Sequence, residues 1–348
     1  MDKTQAFDFA QGYTGREHDT MHNALEKDIH EQRHEVSAFH YTSFKNCLNM
    51  LDLKTPESKH DGKYLGLWVS HFSFLNDPNE LRSSLQSIIE NLENRRHKIK
   101  NKAVEGVVSE FIDKFKTVTP EHLPPNYILS FSTEGNILTQ WKHYGKDCGV
   151  SIEYDLPNLV FSGLRSDDDY DPLYAYRVIY AAPEETPSLT NVLANIENLS
   201  GTDAGRDAKS CILNAFAIAN FVKNEHYRDE REVRMLFSPY YREEAKDIPQ
   251  KQSELMEKVC FRPREHDIVR YLKIRLRHKN PEKFPIKSIT VGPGANQKQI
   301  YRALIMFVQS HYQSDTVSFI PEQVFPDHCT GVIVNGIAVK YSLIPFRG

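Results

Sequence analysis

The chain contains no apolar run approaching the roughly 20 residues that a bilayer span needs. Its polar, acidic N-terminus carries no apolar signal core. No membrane role is expected, and a cytoplasmic location is. Cysteine is sparse: five residues (Cys47, Cys148, Cys211, Cys260 and Cys329), odd in number and widely scattered. No two stand at C-x-x-C spacing, so neither a zinc site nor a redox motif is expected, and a reducing compartment suits the chain. Clustered carboxylates of the two-metal nuclease kind are missing as well, and no metal is assigned. Basic charge is not in excess: 43 Lys and Arg stand against 47 Asp and Glu, a formal net charge of -4. The chain as a whole is therefore not a general binder of nucleic acid. Repeats and low-complexity tracts are absent. What remains is ordinary globular sequence, 40% hydrophobic and 26% charged over 348 residues, long enough to build a sizeable core without staples.

Residues 1 to 35 form a polar N-terminal segment in which Met21, Leu25 and Ile29 recur at helical spacing. The compact domain is expected over 36 to 348. Ala38 to Tyr41 reads as a strand, and Thr42 or Ser43 caps a short helix with Phe44, Cys47, Leu48 and Leu51 on one face. A second strand covers Tyr64 to Val69. Asp77-Pro78-Asn79-Glu80 places a capping residue, a first-turn proline and an acid at the start of a helix striped by Leu81, Leu85, Ile88 and Leu92. A further helix is expected from Val104 to Phe115. Strands then follow at Tyr127 to Thr133, at Val150, Ile152 and Tyr154, and at Tyr174 to Tyr180, with a helical turn over Ile137 to Tyr144. Residues 181 to 206 are rich in Ser, Thr, Pro and Asn and read as a long excursion, part of an insert around 155 to 206. A helix is expected from Asp207 to Tyr227, and strands at Val233 to Phe237 and Ile286 to Val291. The chain closes with a helix over Gln297 to Val308 and strands at Val317 to Ile320 and Ile337 to Leu343. Without βαβ regularity, this mixture points to an α+β fold.

Several clusters invite a chemical reading, each beside a plainer one. Glu230 and Glu232 flank Arg231 at the mouth of an apolar strand, so both carboxylates project to one face. Ion pairs with Arg228, Arg231 and Arg234 are the plainer account. His40 in Phe39-His40-Tyr41-Thr42-Ser43 is either a site histidine or a hydrogen-bonded core one. Ser132, in Ser130-Phe131-Ser132-Thr133, is a site serine or any strand serine. Trp141 reads as core, while His143 and Tyr144 stand open to both. Asn76 either lines a cleft or belongs to the helix cap. Gly292-Pro293-Gly294 lacks the lysine and spacing of a phosphate loop and reads as a tight turn. From Arg262 to Lys279, seven Lys and Arg stand against two acids: a patch for nucleic acid or an acidic partner, or a solvated face.

Taken in order, six motifs resemble the bacterial family known as domain of unknown function twenty-nine seventy-one. They are His40-Tyr41-Thr42-Ser43; Phe74-Leu75-Asn76-Asp77-Pro78-x-Glu80; Ser130-Phe131-Ser132 with Leu138-x-x-Trp141-x-His143-Tyr144-Gly145; Gly149-Val150-x-Ile152-Glu153-Tyr154; Glu230-x-Glu232-Val233-Arg234; and Val291-Gly292-Pro293. More remotely, the order of His strand, Ser/Thr strand and Glu strand is similar to the ADP-ribosyltransferase fold. That likeness implies split antiparallel sheets clasping NAD as substrate. It implies Glu232 at the nicotinamide ribose and Glu230 as base for the acceptor. His40 and Ser132 would position the dinucleotide, helped by Thr42, Asn76 and His143. Tyr41 or Tyr144 would stack on nicotinamide, and Arg234 or Lys223 would meet the pyrophosphate. The implied reaction is ADP-ribosyl transfer to a protein or nucleic-acid acceptor, or NAD hydrolysis. The kind of family suggests a toxin or anti-phage effector with a defence-system partner protein. A nucleic-acid-processing enzyme without NAD, or a non-enzymatic interaction module, are the alternatives.

Overall fold

The computed structural model describes residues 38–51, 65–75, 80–117, 126–144, 149–162, 174–237, 259–264, 267–311 and 319–345. The expected helix around Met21 to Ile29, the Asn76-Asp77-Pro78 cap and Gly145 lie outside these residues. The strands in chain order are β1 (Ala38–Ser43), β2 (Leu65–His71), β3 (Tyr127–Ser132), β4 (Gly149–Tyr154) and β5 (Leu159–Ser162). Then come β6 (Tyr174–Arg177), β7 (Ile179–Tyr180), β8 (Val222–Lys223), β9 (Glu232–Phe237) and β10 (Val259–Arg264). The last are β11 (Asp267–His278), β12 (Ile286–Val291), β13 (Phe319–Phe325), β14 (Cys329–Val334) and β15 (Ile337–Ser342). The helices are α1 (Phe44–Leu51), α2 (Glu80–Arg96), α3 (Lys102–Thr117), α4 (Leu138–Tyr144), α5 (Pro187–Asn195), α6 (Ala204–Ala219) and α7 (Gln297–His311).

The fold is mixed α+β around a large, mainly antiparallel sheet. Thirteen strands join in one hydrogen-bonded network, with the path β10-β11-β2-β3-β1-β4-β12-β15-β14-β13 and with β5, β6 and β9 attached to it. Separate small sheets, expected from the remote likeness, are not what these strands form; the one large network forks on β3. One edge of β3 is shared, with β2 opposite Tyr127 and Ile128 and β1 opposite Ser132. Its other edge pairs along its whole length with β9, Ser130 facing Arg234 and Ser132 facing Glu232.

Two apolar layers explain why β3 and β9 are buried on both faces. Leu129, Phe131, Val233, Met235 and Phe237 enter one core, which α1 and α7 help to cover. Ile128 and Leu236 point the other way, into a helical layer of α2, α3, α5 and α6. Period-2 alternation sends Ser130, Ser132, Glu232 and Arg234 to that second face as well, so the polar ends of both strands sit beside the helices.

Local chemistry starts and stops the helices. Ser43 Oγ accepts from the Asn46 N–H at 3.2 Å, the N-cap expected for α1. Asn101 Oδ1 accepts from Ala103 N–H at 2.9 Å and caps α3. The helix expected to run to Tyr227 ends at Ala219, because Asn220 Nδ2 turns back onto the Phe216 carbonyl at 2.8 Å and closes the last turn. The excursion expected over 181 to 206 holds α5, whose Leu189, Val192 and Leu193, with Ile196 just beyond, are buried in the helical layer. That is an i, i+3, i+4, i+7 stripe. The basic stretch from Arg262 to Lys279 is largely the hairpin β10–β11. Among the described residues no helix is long and apolar enough to cross a membrane.

Candidate active site

The Glu-x-Glu step is not a strand alternation. Glu230 ends a 3-10 turn over Glu225–Glu230, and Arg231 takes a left-handed conformation with φ 48° and ψ 49° before β9 begins. The two carboxylates still converge, because a buried lysine lies between them. Lys223 Nζ, on β8, donates to Glu230 Oε2 at 2.6 Å and to Glu232 Oε2 at 3.1 Å. Arg234 grips Glu232 with two bonds, Nε to Oε1 at 2.7 Å and Nη2 to Oε2 at 3.0 Å. Its Nη1 donates to the Asn220 carbonyl at 2.6 Å, so the cap that stops α6 also anchors the arginine. Tyr180 completes the frame: its hydroxyl accepts from the Glu232 N–H at 2.7 Å, and β7 holds it opposite Lys223. Gln140 of α4 donates to the Glu230 carbonyl at 3.1 Å.

Two carboxylates and two cations make a neutral cluster in which Glu232 is 5% and Lys223 6% exposed. Burial by itself pushes the Glu232 carboxyl up. The charges of Arg234 and Lys223, with hydrogen bonds from Arg234 and the Ser130 side chain, outweigh it and pull the pKa down to about 2. Glu232 is therefore an ionised acceptor at neutral pH, with no proton to donate.

His40 sits at the fork. Its Nδ1 lies 3.2 Å from the Ser130 carbonyl. A carbonyl only accepts, so Nδ1 carries the proton and Nε2 keeps its lone pair. Burial lowers the imidazole pKa; the hydrogen bond to Ser130 opposes this, and the nearby charge of Arg262 adds to it. The ring is neutral at pH 7. Ser130 thus joins His40, through its carbonyl, to Glu232, through its side chain. The serine whose side chain bonds Glu232 is Ser130. Ser132 is the in-register neighbour of Glu232, and its Oγ accepts from the Glu134 N–H at 3.3 Å.

The remaining expected residues lie apart from this series or turn inward. Tyr41 is buried, and its hydroxyl donates to the Glu134 carbonyl at 2.8 Å and accepts from the Ile137 N–H at 3.0 Å. Its ring meets Trp141 edge to face at 4.7 Å, with Tyr144 packed beside them. Thr42 is buried opposite Val150. His143 is exposed at the end of α4. Arg234 faces Glu232, and Asn76 lies outside the described residues. Gly292 packs its Cα against Trp141, where a Cβ would come within 2.6 Å of the indole; this is the tight turn expected of Gly292-Pro293-Gly294. Sequence reasoning passed over Tyr180 and Gln140, which carry no local signal. Ser130 lies in the Ser130-Phe131-Ser132 motif and was readable as the second serine on the same strand face.

Among the described residues no three His, Cys, Asp or Glu side chains gather to hold a metal ion. No curated protein and no solved structure matches the chain. Residues 140–235, which span most of α4, the helical layer's α5 and α6, and the Lys223–Glu230–Glu232–Arg234 cluster, match the family described as protein of unknown function (DUF2971).

Proposed function

We propose that the chain is an NAD-dependent ADP-ribosyltransferase, or an NAD glycohydrolase, on an α+β core of the ADP-ribosyltransferase kind. The observation that carries this reading is the series on three adjacent strands: His40 on β1, Ser130 on β3 and an ionised Glu232 on β9. When the nicotinamide–ribose bond breaks, nicotinamide leaves with the bonding pair and positive charge develops on the ribose. An ionised carboxylate against the ribose 2'-hydroxyl is stabilising there. Glu232 supplies it, and Arg234 keeps it charged. The 3.1 Å contact from Lys223 is the longer of that lysine's two bonds, and it is the one a ribose hydroxyl displaces. Glu230, less buried than Glu232, takes the proton of the attacking acceptor as the new bond to ribose forms. His40 offers Nε2 to a ribose hydroxyl. The acceptor is a protein, a nucleic acid or water.

A specific observation favours one rival. Arg234 and Lys223 already bond both oxygens of a carboxylate that is 5% exposed, as in a purely structural clasp of a non-enzymatic interaction module. NAD turnover separates the two. The purified chain is assayed with labelled NAD, alone and with RNA, DNA or cell lysate, beside Glu232→Gln and Glu230→Gln variants whose folding is checked by thermal melting. Turnover that drops on the order of 10²-fold in folded Glu232→Gln supports the transferase. Absence of NAD binding and turnover under every condition leaves the structural clasp.

A further inference from the structure

The candidate site is closed. Glu232 is buried, and both of its oxygens already take bonds from Arg234 and Lys223. The chain that joins Lys223 to Glu232 is of the opposite kind: Asn224 to Asp229 are exposed and Glu230 is half-buried. It forms the 3-10 turn Glu225–Glu230, none of whose side chains enters an apolar core. At one end Asn224 is extended, with ψ 139°, and its Oδ1 accepts from the His226 N–H at 3.0 Å. At the other end Arg231 is left-handed, a conformation an arginine keeps only where its surroundings impose it. What fastens the turn is polar. Gln140 donates to the Glu230 carbonyl at 3.1 Å, Arg228 Nη2 to the Tyr180 carbonyl at 3.4 Å, and Lys223 Nζ to Glu230 Oε2 at 2.6 Å. In the middle of the turn the Tyr227 ring, 37% exposed, lies over Lys223 Nζ, 4.9 Å from its centroid. From solvent inward the order is Tyr227, Lys223, Glu232.

We infer that the turn Glu225–Glu230 is an autoinhibitory strap: with Tyr227 as its latch it holds Lys223 on Glu232, and it swings out before a substrate meets that carboxylate. What enters the site rests on the NAD reading; the movement rests on the fold alone. Lys223 puts an ammonium on the Glu232 oxygen that the NAD reading assigns to a ribose hydroxyl, so the chain's own cation competes with the substrate. Glu230 is the lever. It belongs to the turn, and it holds Lys223 by the shorter of that lysine's two bonds, 2.6 Å against 3.1 Å. When the turn pivots outward about Asn224 and Arg231, Glu230 draws Lys223 off Glu232. Arg234 keeps its two bonds to Glu232 and so keeps it ionised. The movement breaks polar contacts at the surface and no core packing, which places it among the low-cost local openings of a fold. A purely structural clasp has no such open state.

The test is the reactivity of Lys223 in the full chain toward a water-soluble succinimidyl ester, read by peptide mass spectrometry with the exposed Lys298 as internal standard. Acylation needs an amine in contact with solvent, so it reports the open strap. In the wild type Lys223 should react about tenfold or more slowly than Lys298. Tyr227→Ala removes the ring from the ammonium and should speed the labelling of Lys223 about threefold or more. Tyr227→Phe keeps the ring and should stay at the wild-type rate. Asn224→Ala frees the other end of the turn at an exposed position and should speed labelling as well. Equal labelling in wild type and Tyr227→Ala, wild-type Lys223 as reactive as Lys298, or equal rises in Tyr227→Phe and Tyr227→Ala overturns the inference. NAD turnover on the same proteins should rise in Tyr227→Ala; wild-type turnover that this variant lowers or leaves unchanged overturns it too. Faster labelling of Lys223 with no NAD turnover in any protein leaves the strap standing and removes the NAD reading.

Discussion

Replacing Lys223 by methionine removes the cation between Glu230 and Glu232 while keeping the length of the side chain. Lys223 is 6% exposed and bonds both carboxylates, so the variant leaves negative charge buried with one partner fewer. Breaking a buried pair from one side typically costs about 3–5 kcal/mol. Arg234 still holds Glu232 with two bonds, which puts the expected loss near the lower end, about 3 kcal/mol. For a chain of this size that lowers the melting temperature by about 5 °C. The pH dependence gives an independent handle. Glu232 is held at about 2 instead of its ordinary 4.5, so it contributes about 3 kcal/mol of stability at neutral pH. A depressed carboxyl contributes fully above its unfolded pKa, and the contribution is lost as pH falls from about 5 toward 2. Without Lys223 the carboxyl titrates closer to its unfolded value, so the stability of Lys223→Met should fall less with acid than that of the wild type, and the gap between the two should narrow as pH falls. Urea denaturation at pH 7, 5 and 4 measures both effects. A double-mutant cycle with Glu230→Gln should return a coupling of about 1 kcal/mol or more. Equal stability of Lys223→Met and wild type across that range, with no coupling to Glu230, would refute the clasp.

Gly292→Ala sets a methyl group within 2.6 Å of the Trp141 ring and should destabilise by about 1–3 kcal/mol, read by urea titration and a shift in tryptophan emission. Arg231→Gly relieves a left-handed non-glycine residue, worth about 1 kcal/mol, and gives up an exposed ion pair with Glu134 of about 0–1 kcal/mol. Its stability should equal or exceed wild type, and a loss of more than about 1 kcal/mol would mean that the ion pair dominates. NAD turnover that falls on the order of 10²-fold in folded Glu232→Gln completes the set.

Elements whose partners are local were legible in the chain. The apolar faces of α1 and α2, and the strands β1, β3, β4, β9 and β12, follow from spacing and capping residues alone. The long excursion at 181 to 206 hid α5, because Ser, Thr, Pro and Asn set the composition while the stripe Leu189, Val192, Leu193, Ile196 sat beneath it. The hairpin β10–β11 was hidden by its charges in the same way: Leu272, Ile274 and Leu276 alternate with Lys273, Arg275 and Arg277, which is period 2 in plain view. At the candidate site the residue types were readable but the geometry was not. Glu230 and Glu232 meet because Arg231 reverses the backbone and Lys223 lies between them. A buried lysine nine residues before Glu232 has no sequence signature of burial, and its environment depends on where Asn220 stops α6. The same holds for Tyr180, brought in by a two-residue strand pairing across a large sequence separation.

The fork on β3 also governs how the molecule yields. The β10–β11–β2–β5 side meets β3 through Tyr127 and Ile128 of β3, and the β1–β4–β12–β15–β14–β13 side meets it through Ser132. Along that edge few backbone hydrogen bonds carry the continuity of the sheet, each worth only about 1 kcal/mol net, and the bond from His40 to Ser130 spans the gap between them. The two sides are therefore joined as leaves on a spine, with β3 and β9 as the spine. Opening should begin at the fork, and amide protons of β1 and β2 next to it should exchange faster than those deep in either leaf. A histidine at that seam ties one leaf to the spine: losing its bond to Ser130 should loosen β1 from β3 first.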